Sequence, residues 1–347
     1  MARPLRIEVA GGWYHVVARG HERRAIFRDD RDRQRFLEVL AEGTERFRLQ
    51  LHAYVLMDNH YHLLVETREP NLSRAMQWLG VSYSVWFNRR HRRVGHLFQG
   101  RFKGVVLEPS AAVEVTRYLH LNPVRVERLG MGKSVREQSR LGLLERPDPK
   151  RVSERLERLR GYVWSSYRAY AGRAKPAKWL TLRTVLGRMG SGGLQLQRQA
   201  YRHYVEGALR HGLPESPWDR LQAGVALGSR EFVERIKRFS RGDPREQPQV
   251  RRLHHRPNWE QVVMAVERLK GEPWEMFRDR YGDWGRDLAF WLGRRCGGMK
   301  LRDLAQASGG IDYVSVASAV RRFGERLAGD RKLAVQVEGA IRELHNA

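Results

Sequence analysis

Period-two alternation across residues 49–67, broken once at Asp58-Asn59, constrains this chain more than any other feature. Leu49, Leu51, Ala53, Val55 and Met57 alternate with Gln50, His52 and Tyr54, the spacing of a strand with one apolar face. Asp58 and Asn59 tolerate left-handed geometry and supply a tight turn, after which His60-Tyr61-His62-Leu63-Leu64-Val65-Glu66-Thr67 returns as a second strand. The expectation is a β-hairpin. Side chains at i and i+2 leave a strand on the same face, so His60 and His62 stand together while Tyr61, Leu63 and Val65 turn to the core. Two imidazoles at this spacing can hold one cation, although two half-exposed strand histidines of no consequence would show the same pattern.

Pro109 and Ser110 read as the N-terminal boundary of a helix, with Ser110 as N-cap. Asn122-Pro123 reads as its end, because proline disfavours helical geometry in the residue before it. Between them Glu114, Tyr118 and Asn122 fall at i, i+4 and i+8 and share a stripe. A phenol and a carboxamide one turn apart are unusual on a core-facing stripe.

Other segments complete a fold. Gly12 to Ala18 reads as a first strand, Asp30 to Phe47 as a helix, Asn71 to Arg90 as a second helix, and Val105 to Glu108 as a fourth strand after the basic, glycine-punctuated loop Gly95 to Gly104. The order strand, helix, strand, strand, helix, strand, helix is the split βαβ pattern of a ferredoxin-like sheet. The class is therefore α+β over residues 1–130, with helices on one sheet face and the other face open for a site. Residues 131–255 read as a helical extension and linker. Lys133 to Arg160 is dense in charge, and the aromatics of Tyr162-Val163-Trp164-Ser165-Ser166-Tyr167 are better explained by docking on the first domain than by stacking on bases. Arg241 to Pro257, with three prolines among arginines, is the linker candidate. Residues 256–347 read as all-α: a short helix from Met299, a Gly309-Gly310 turn, and a second helix with Val316, Ala319, Val320 and Phe323 inward resemble helix-turn-helix organisation, which an ordinary helical hairpin would also match.

Charge points to the partner. The 347 residues carry 65 Lys and Arg against 39 Asp and Glu, a net charge of +26 spread along the chain, which attracts polyanions. Nucleic acid is the expected partner. No apolar run approaches the roughly 20 residues of a spanning helix and no signal peptide opens the chain, so no membrane role and a cytoplasmic, nucleoid-associated location are expected. Cys296 is the single cysteine, which excludes an intramolecular disulfide and a thiolate metal site.

Four motifs in order, Met57-Asp58-Asn59-His60-Tyr61-His62, Gly95-His96-Leu97-Phe98-Gln99-Gly100-Arg101-Phe102-Lys103, Arg117-Tyr118-Leu119-His120-Leu121-Asn122-Pro123-Val124-Arg125 and Tyr162-Val163-Trp164-Ser165-Ser166-Tyr167-Arg168-Ala169-Tyr170, resemble the IS200-like Y1 transposases, in the branch of REP-associated tyrosine transposases. The resemblance implies a single-strand DNA endonuclease and strand transferase of the HUH class. It implies that His60 and His62 bind Mg²⁺ or Mn²⁺, that Asn122 supplies a third, amide ligand, and that Tyr118 is the nucleophile. Tyr61 stands where relatives carry an aliphatic residue, at a position expected to face the core. The C-terminal run Gly309-Gly310-Ile311-Asp312-Tyr313-Val314-Ser315-Val316 resembles the DNA-binding domain of the replication initiator DnaA, with Ile311 and Tyr313 replacing a basic residue and a histidine.

DNA contacts are expected at Arg101, Lys103, Arg117 and Arg125 near the tyrosine and at Tyr313, Ser315 and Arg321 in the C-terminal helices. The DNA would be single-stranded or hairpin, with duplex engaged by the C-terminal domain, and the protein a monomer or homodimer. Two imidazoles suit Mn²⁺ better than Mg²⁺. Direct attack by water and occupation by zinc stay open, as does a second reading of the whole chain as a catalytically silent, sequence-specific DNA-binding regulator.

Overall fold

The computed structural model describes residues 6–131, 148–211, 216–222, 224–240, 257–280 and 283–346. The chain divides into two compact units, residues 4–241 and residues 242–347 together with 1–3. The linker expected from Arg241 lies outside the described residues up to position 256, as does the charged stretch 133–147.

In the first unit β1 (Trp13–Arg19), α1 (Asp30–Arg46), β2 (Leu49–Met57), β3 (His60–Thr67), α2 (Leu72–Arg90), β4 (Lys103–Leu107) and α3 (Ala112–His120) follow in the expected order. The sheet order β2-β3-β1-β4 is the ferredoxin-like one, antiparallel at each of these three pairings. Tyr61, Leu63 and Val65 are buried on the face that α1 and α2 cover. Tyr61 meets Phe36 of α1 at 4.7 Å between ring centroids, so the aromatic residue between the histidines is core.

Some features depart from the sequence expectation. The opposite face is not open: α3 packs on β2 and β3 there. Residues 148–240 fall in the same compact unit as the sheet. Tyr162 donates its hydroxyl proton to the Leu56 carbonyl and Tyr170 to the His52 carbonyl, which docks the aromatic run on β2 as expected. The two-residue strand β5 (Ala226–Leu227) then pairs parallel to β4 at the sheet edge, too short to leave a periodic signal. Finally, Ser110 caps nothing: Pro109–Ala111 form a 3-10 turn, and α3 begins at Ala112 without a side-chain cap.

The second unit is helical. The helices Trp259–Lys270, Trp274–Phe277, Trp284–Arg295, Leu301–Ala307, Tyr313–Gly329 and Arg331–Asn346 enclose an apolar core that includes Val262, Phe277, Leu288, Leu292 and Phe323. The turn at Gly309 and Gly310 uses φ of 107° and 82°, backbone geometry that glycine adopts without steric cost. Val316, Ala319 and Phe323 face inward as expected. No helix among the described residues is long and apolar enough to cross a membrane.

Candidate active site

The register across β3, β1 and β4 assembles one polar face. Val17 of β1 lies opposite His62 on one side and Lys103 on the other, and Arg19 lies opposite His60. Directly paired residues point to the same side of a sheet, so His60, His62, Arg19 and Lys103 share a face. The His60 and His62 rings are 5.0 Å apart between centroids and nearly perpendicular.

Hydrogen bonds fix what each imidazole can offer. His60 Nδ1 lies 2.7 Å from Asn59 Oδ1, and Asn59 Nδ2 donates to the Arg23 carbonyl, which orients the amide. An amide oxygen only accepts, so His60 Nδ1 carries the proton and Nε2 keeps its lone pair. His62 Nδ1 lies 2.8 Å from Nε2 of His15, a buried residue of β1. Burial pushes His60 down to about 4, and holds His62 well below the usual imidazole range, helped by the charges of nearby basic groups. Neutral imidazoles with a back-side hydrogen bond at Nδ1 are the form that ligates cations.

The tyrosine helix reaches this face in the same chain. The Tyr118 ring is 6.1 Å from His62 and 6.2 Å from His15 between centroids, edge-on to both. The Arg125 guanidinium sits 4.1 Å above it, and Trp218 meets it edge-on at 5.1 Å. Tyr118 is half-buried rather than sealed among aliphatic groups. Asn122 Nδ2 donates to the carbonyls of Tyr118 and Leu119, which closes the end of α3 and leaves the amide oxygen for any ligand role. Among the described residues no group of three or more His, Cys, Asp or Glu surrounds a cation position. Imidazole nitrogens are donors that suit a borderline divalent ion.

The remaining expected residues fall in different places. Arg101 and Lys103 are exposed where the glycine-punctuated loop enters β4. Arg117 stacks on Tyr204 at 4.1 Å, and Glu114 forms an ion pair with Arg220. Tyr313, Ser315 and Arg321 belong to the second unit, exposed on the helix that follows the Gly309-Gly310 turn, with Arg302 5.6 Å from the Tyr313 ring. Two site neighbours escape the sequence reading. His15 sits inside the continuous apolar run Trp13-Tyr14-His15-Val16-Val17, and Trp218 lies far along the chain in a 3-10 turn, Pro217–Arg220.

Residues 8–122 match the family described as "Transposase IS200 like", a stretch that contains His15, His60, His62, Tyr118 and Asn122 and excludes Trp218. A solved structure titled "Structure of the REP associates tyrosine transposase bound to a REP hairpin" is 14% identical, with 50% of this chain and 87% of that one covered and a TM-score of 0.35. No curated protein matches the chain.

Proposed function

We propose, on an IS200-like match that encloses both paired histidines and the tyrosine, that this chain is a metal-dependent single-strand DNA endonuclease and strand transferase acting through Tyr118. The observation that carries the reading is the placement of the Tyr118 ring beside His62, on the sheet face that carries both paired histidines. A net charge of +26 supports a DNA substrate.

Phenols as a class are weak nucleophiles near neutral pH, so attack on phosphorus needs assistance. His60, His62 and Asn122 would hold a divalent ion, Mg²⁺ or Mn²⁺, which would supply charge neutralisation at a phosphate oxygen. Tyr118 Oη forms a bond to phosphorus as the bond from phosphorus to the 3′ oxygen breaks. The phenolic proton is given up, the leaving oxygen takes up a proton, and a 5′-phosphotyrosine and a 3′-hydroxyl result. The ester keeps the bond energy for rejoining to another strand. Arg125 and Trp218 restrict rotation of the tyrosine ring. Exposed Arg101 and Lys103 contact the DNA backbone beside the site. Because Tyr118 packs against its own chain's His62, a monomer is sufficient. Tyr313, Ser315 and Arg321 engage duplex DNA through the second unit.

The test is a denaturing gel with a labelled single-stranded oligonucleotide that can form a hairpin, run with Mn²⁺ and with Mg²⁺. The wild type should give an adduct that survives denaturant and disappears in chelator. Tyr118→Phe should lose the adduct and keep binding. Cleavage that persists in Tyr118→Phe refutes the assignment, and binding without any adduct in the wild type leaves only a DNA-binding regulator.

A further inference from the structure

The His15–His62 contact has a geometry that an incidental pair of buried rings would not need. The two ring planes are within 11° of each other and their centroids 5.1 Å apart, while the nitrogens are 2.8 Å apart. Coplanar rings at that centroid separation meet edge to edge along the line between their nitrogens, which is the strongest arrangement for a single hydrogen bond. Both residues are buried, at 5% and 7% exposure, so water does not compete.

One proton occupies such a contact, and its position decides what His62 can do. A neutral imidazole has one N–H and one lone pair. With the proton on His62 Nδ1, donated to His15 Nε2, the lone pair of His62 lies at Nε2. With the proton on His15 Nε2, His62 would carry its own proton at Nε2 and present a donor there. His60 meets the same requirement differently, through the Asn59 amide oxygen, which can only accept. For His62 the partner is a second imidazole, held in place from outside the sheet: Trp218 stacks on His15 at 4.4 Å and 22°, and also touches the Tyr118 ring.

We infer that His15 is a positioning residue that fixes His62 in the Nδ1–H tautomer, so that Nε2 is presented as a ligand for the divalent cation, and that Trp218 holds the His15 ring in plane. The inference rests on the proposed metal role of His62. It adds that a residue from the turn at 217–220, outside the family match, is built into the support of the metal site. Back-side hydrogen bonds of this kind commonly account for about 10- to 100-fold in metal affinity.

The test uses the full-length protein without DNA, so activity is not the readout. Nitrogen-15 spectra of the imidazoles in metal-free protein report the tautomer of His62, and Mn²⁺ titration followed by the electron spin resonance signal of unbound Mn²⁺ reports affinity. The wild type should show His62 protonated at Nδ1. His15→Leu, which cannot accept, should lose that preference and weaken Mn²⁺ binding by about 10- to 100-fold. His15→Gln, whose amide oxygen can accept, should restore most of both, a rescue that lost packing alone would not give. Trp218→Ala should show a smaller loss in the same direction. An unchanged His62 tautomer with unchanged Mn²⁺ affinity in His15→Leu overturns the inference, and so does an equal defect in His15→Gln. Should the wild type bind no Mn²⁺, the metal reading fails by itself, and the tautomer spectra of wild type, His15→Leu and His15→Gln still decide whether His15 sets the proton on His62.

Discussion

The two units bury different kinds of residue. Within the described residues, the sheet-based unit buries His15, His52, His62, His120, Asp32 and Glu206 among other polar groups, whereas in the helical unit the buried charged side chains are Asp287, against Arg322, and the Lys270–Asp283 ion pair. Buried polar atoms must be hydrogen-bonded to be tolerated, and in the sheet unit most of these imidazoles bond to one another, to a carboxylate or to hydroxyls. The difference shows where specificity is stored. The helical unit draws its stability from apolar area, which tolerates approximate packing. The sheet unit relies on bonds that work only in one geometry, and several of them lie on or beside the face that carries Tyr118.

The comparison is broken most severely in the helical unit by removing a core ring. Phe323 is 1% exposed and packs on Trp291 and Trp284. Phe323→Ala should cost about 3 to 5 kcal/mol, a large part of the stability of a domain. Calorimetry should show the helical unit melting early, while covalent capture of a single-stranded oligonucleotide persists. Loss of capture in step with this melting would mean that the dry unit contributes to the chemistry after all.

A smaller effect is expected at His120, which lies on the tyrosine helix two residues past Tyr118. His120 Nδ1 is 2.7 Å from the Tyr201 hydroxyl and Nε2 is 2.7 Å from Ser166 Oγ, all fully buried or nearly so. His120→Leu keeps the volume but strands the Tyr201 hydroxyl, at a cost of about 1 to 3 kcal/mol. Ser166 retains its contacts with Tyr54. Adding Tyr201→Phe should recover part of the loss in urea titrations, because both polar partners are then gone. Additive losses would show that the network contributes packing and no hydrogen-bond specificity.

What was legible in the sequence follows the same division. The hairpin, the four-strand order and the meeting of His60, His62 and Tyr118 rest on short-range periodicity and on motifs, and the structure brings those three side chains together. The polar half of the alternation misled at one point. His52 reads as a solvent-side residue of β2, yet it is fully buried, stacked on Trp13 and bonded to Glu66 and to the Thr181 carbonyl. The element that covers it comes from more than a hundred residues away, and no local pattern encodes that cover. His15 and Trp218 were missed for the same reason, since each gains its role from a contact distant in sequence.

Acid should separate the units more gently. Burial pushes His15 and His120 down to about 3 and His60 to about 4, from an unfolded value near 6.5. The unfolded chain binds these protons first, so the sheet unit loses stability as pH falls from about 6.5 towards 4, by a little over 1 kcal/mol per pH unit for each imidazole at most. In the helical unit Lys270 and its neighbours hold the Asp283 carboxyl below its usual range, against its own burial. That contribution is present above about 3.8 and is lost only below it. Calorimetry between pH 6.5 and 4.5 should therefore shift the sheet transition downward and leave the helical one nearly still. Equal shifts would remove the distinction.

The smallest effect should be invisible to folding and appear only in duplex binding. Arg321 is highly exposed, and its one described ion pair, to Glu325 at 4.0 Å, is exposed as well. Such a pair adds little to stability, so Arg321→Ser should leave the melting temperature of the helical unit unchanged. If this arginine meets a duplex phosphate, the substitution should reduce the slope of log binding constant against log salt concentration by about 1, uniformly across sequences. Tyr313→Ala, at the exposed start of the same helix, should change the preference among duplex sequences and leave that slope alone. A salt slope untouched by Arg321→Ser would take the helix after the Gly309-Gly310 turn out of the DNA interface, and the contrast between a chemical unit and a duplex-gripping one would go with it.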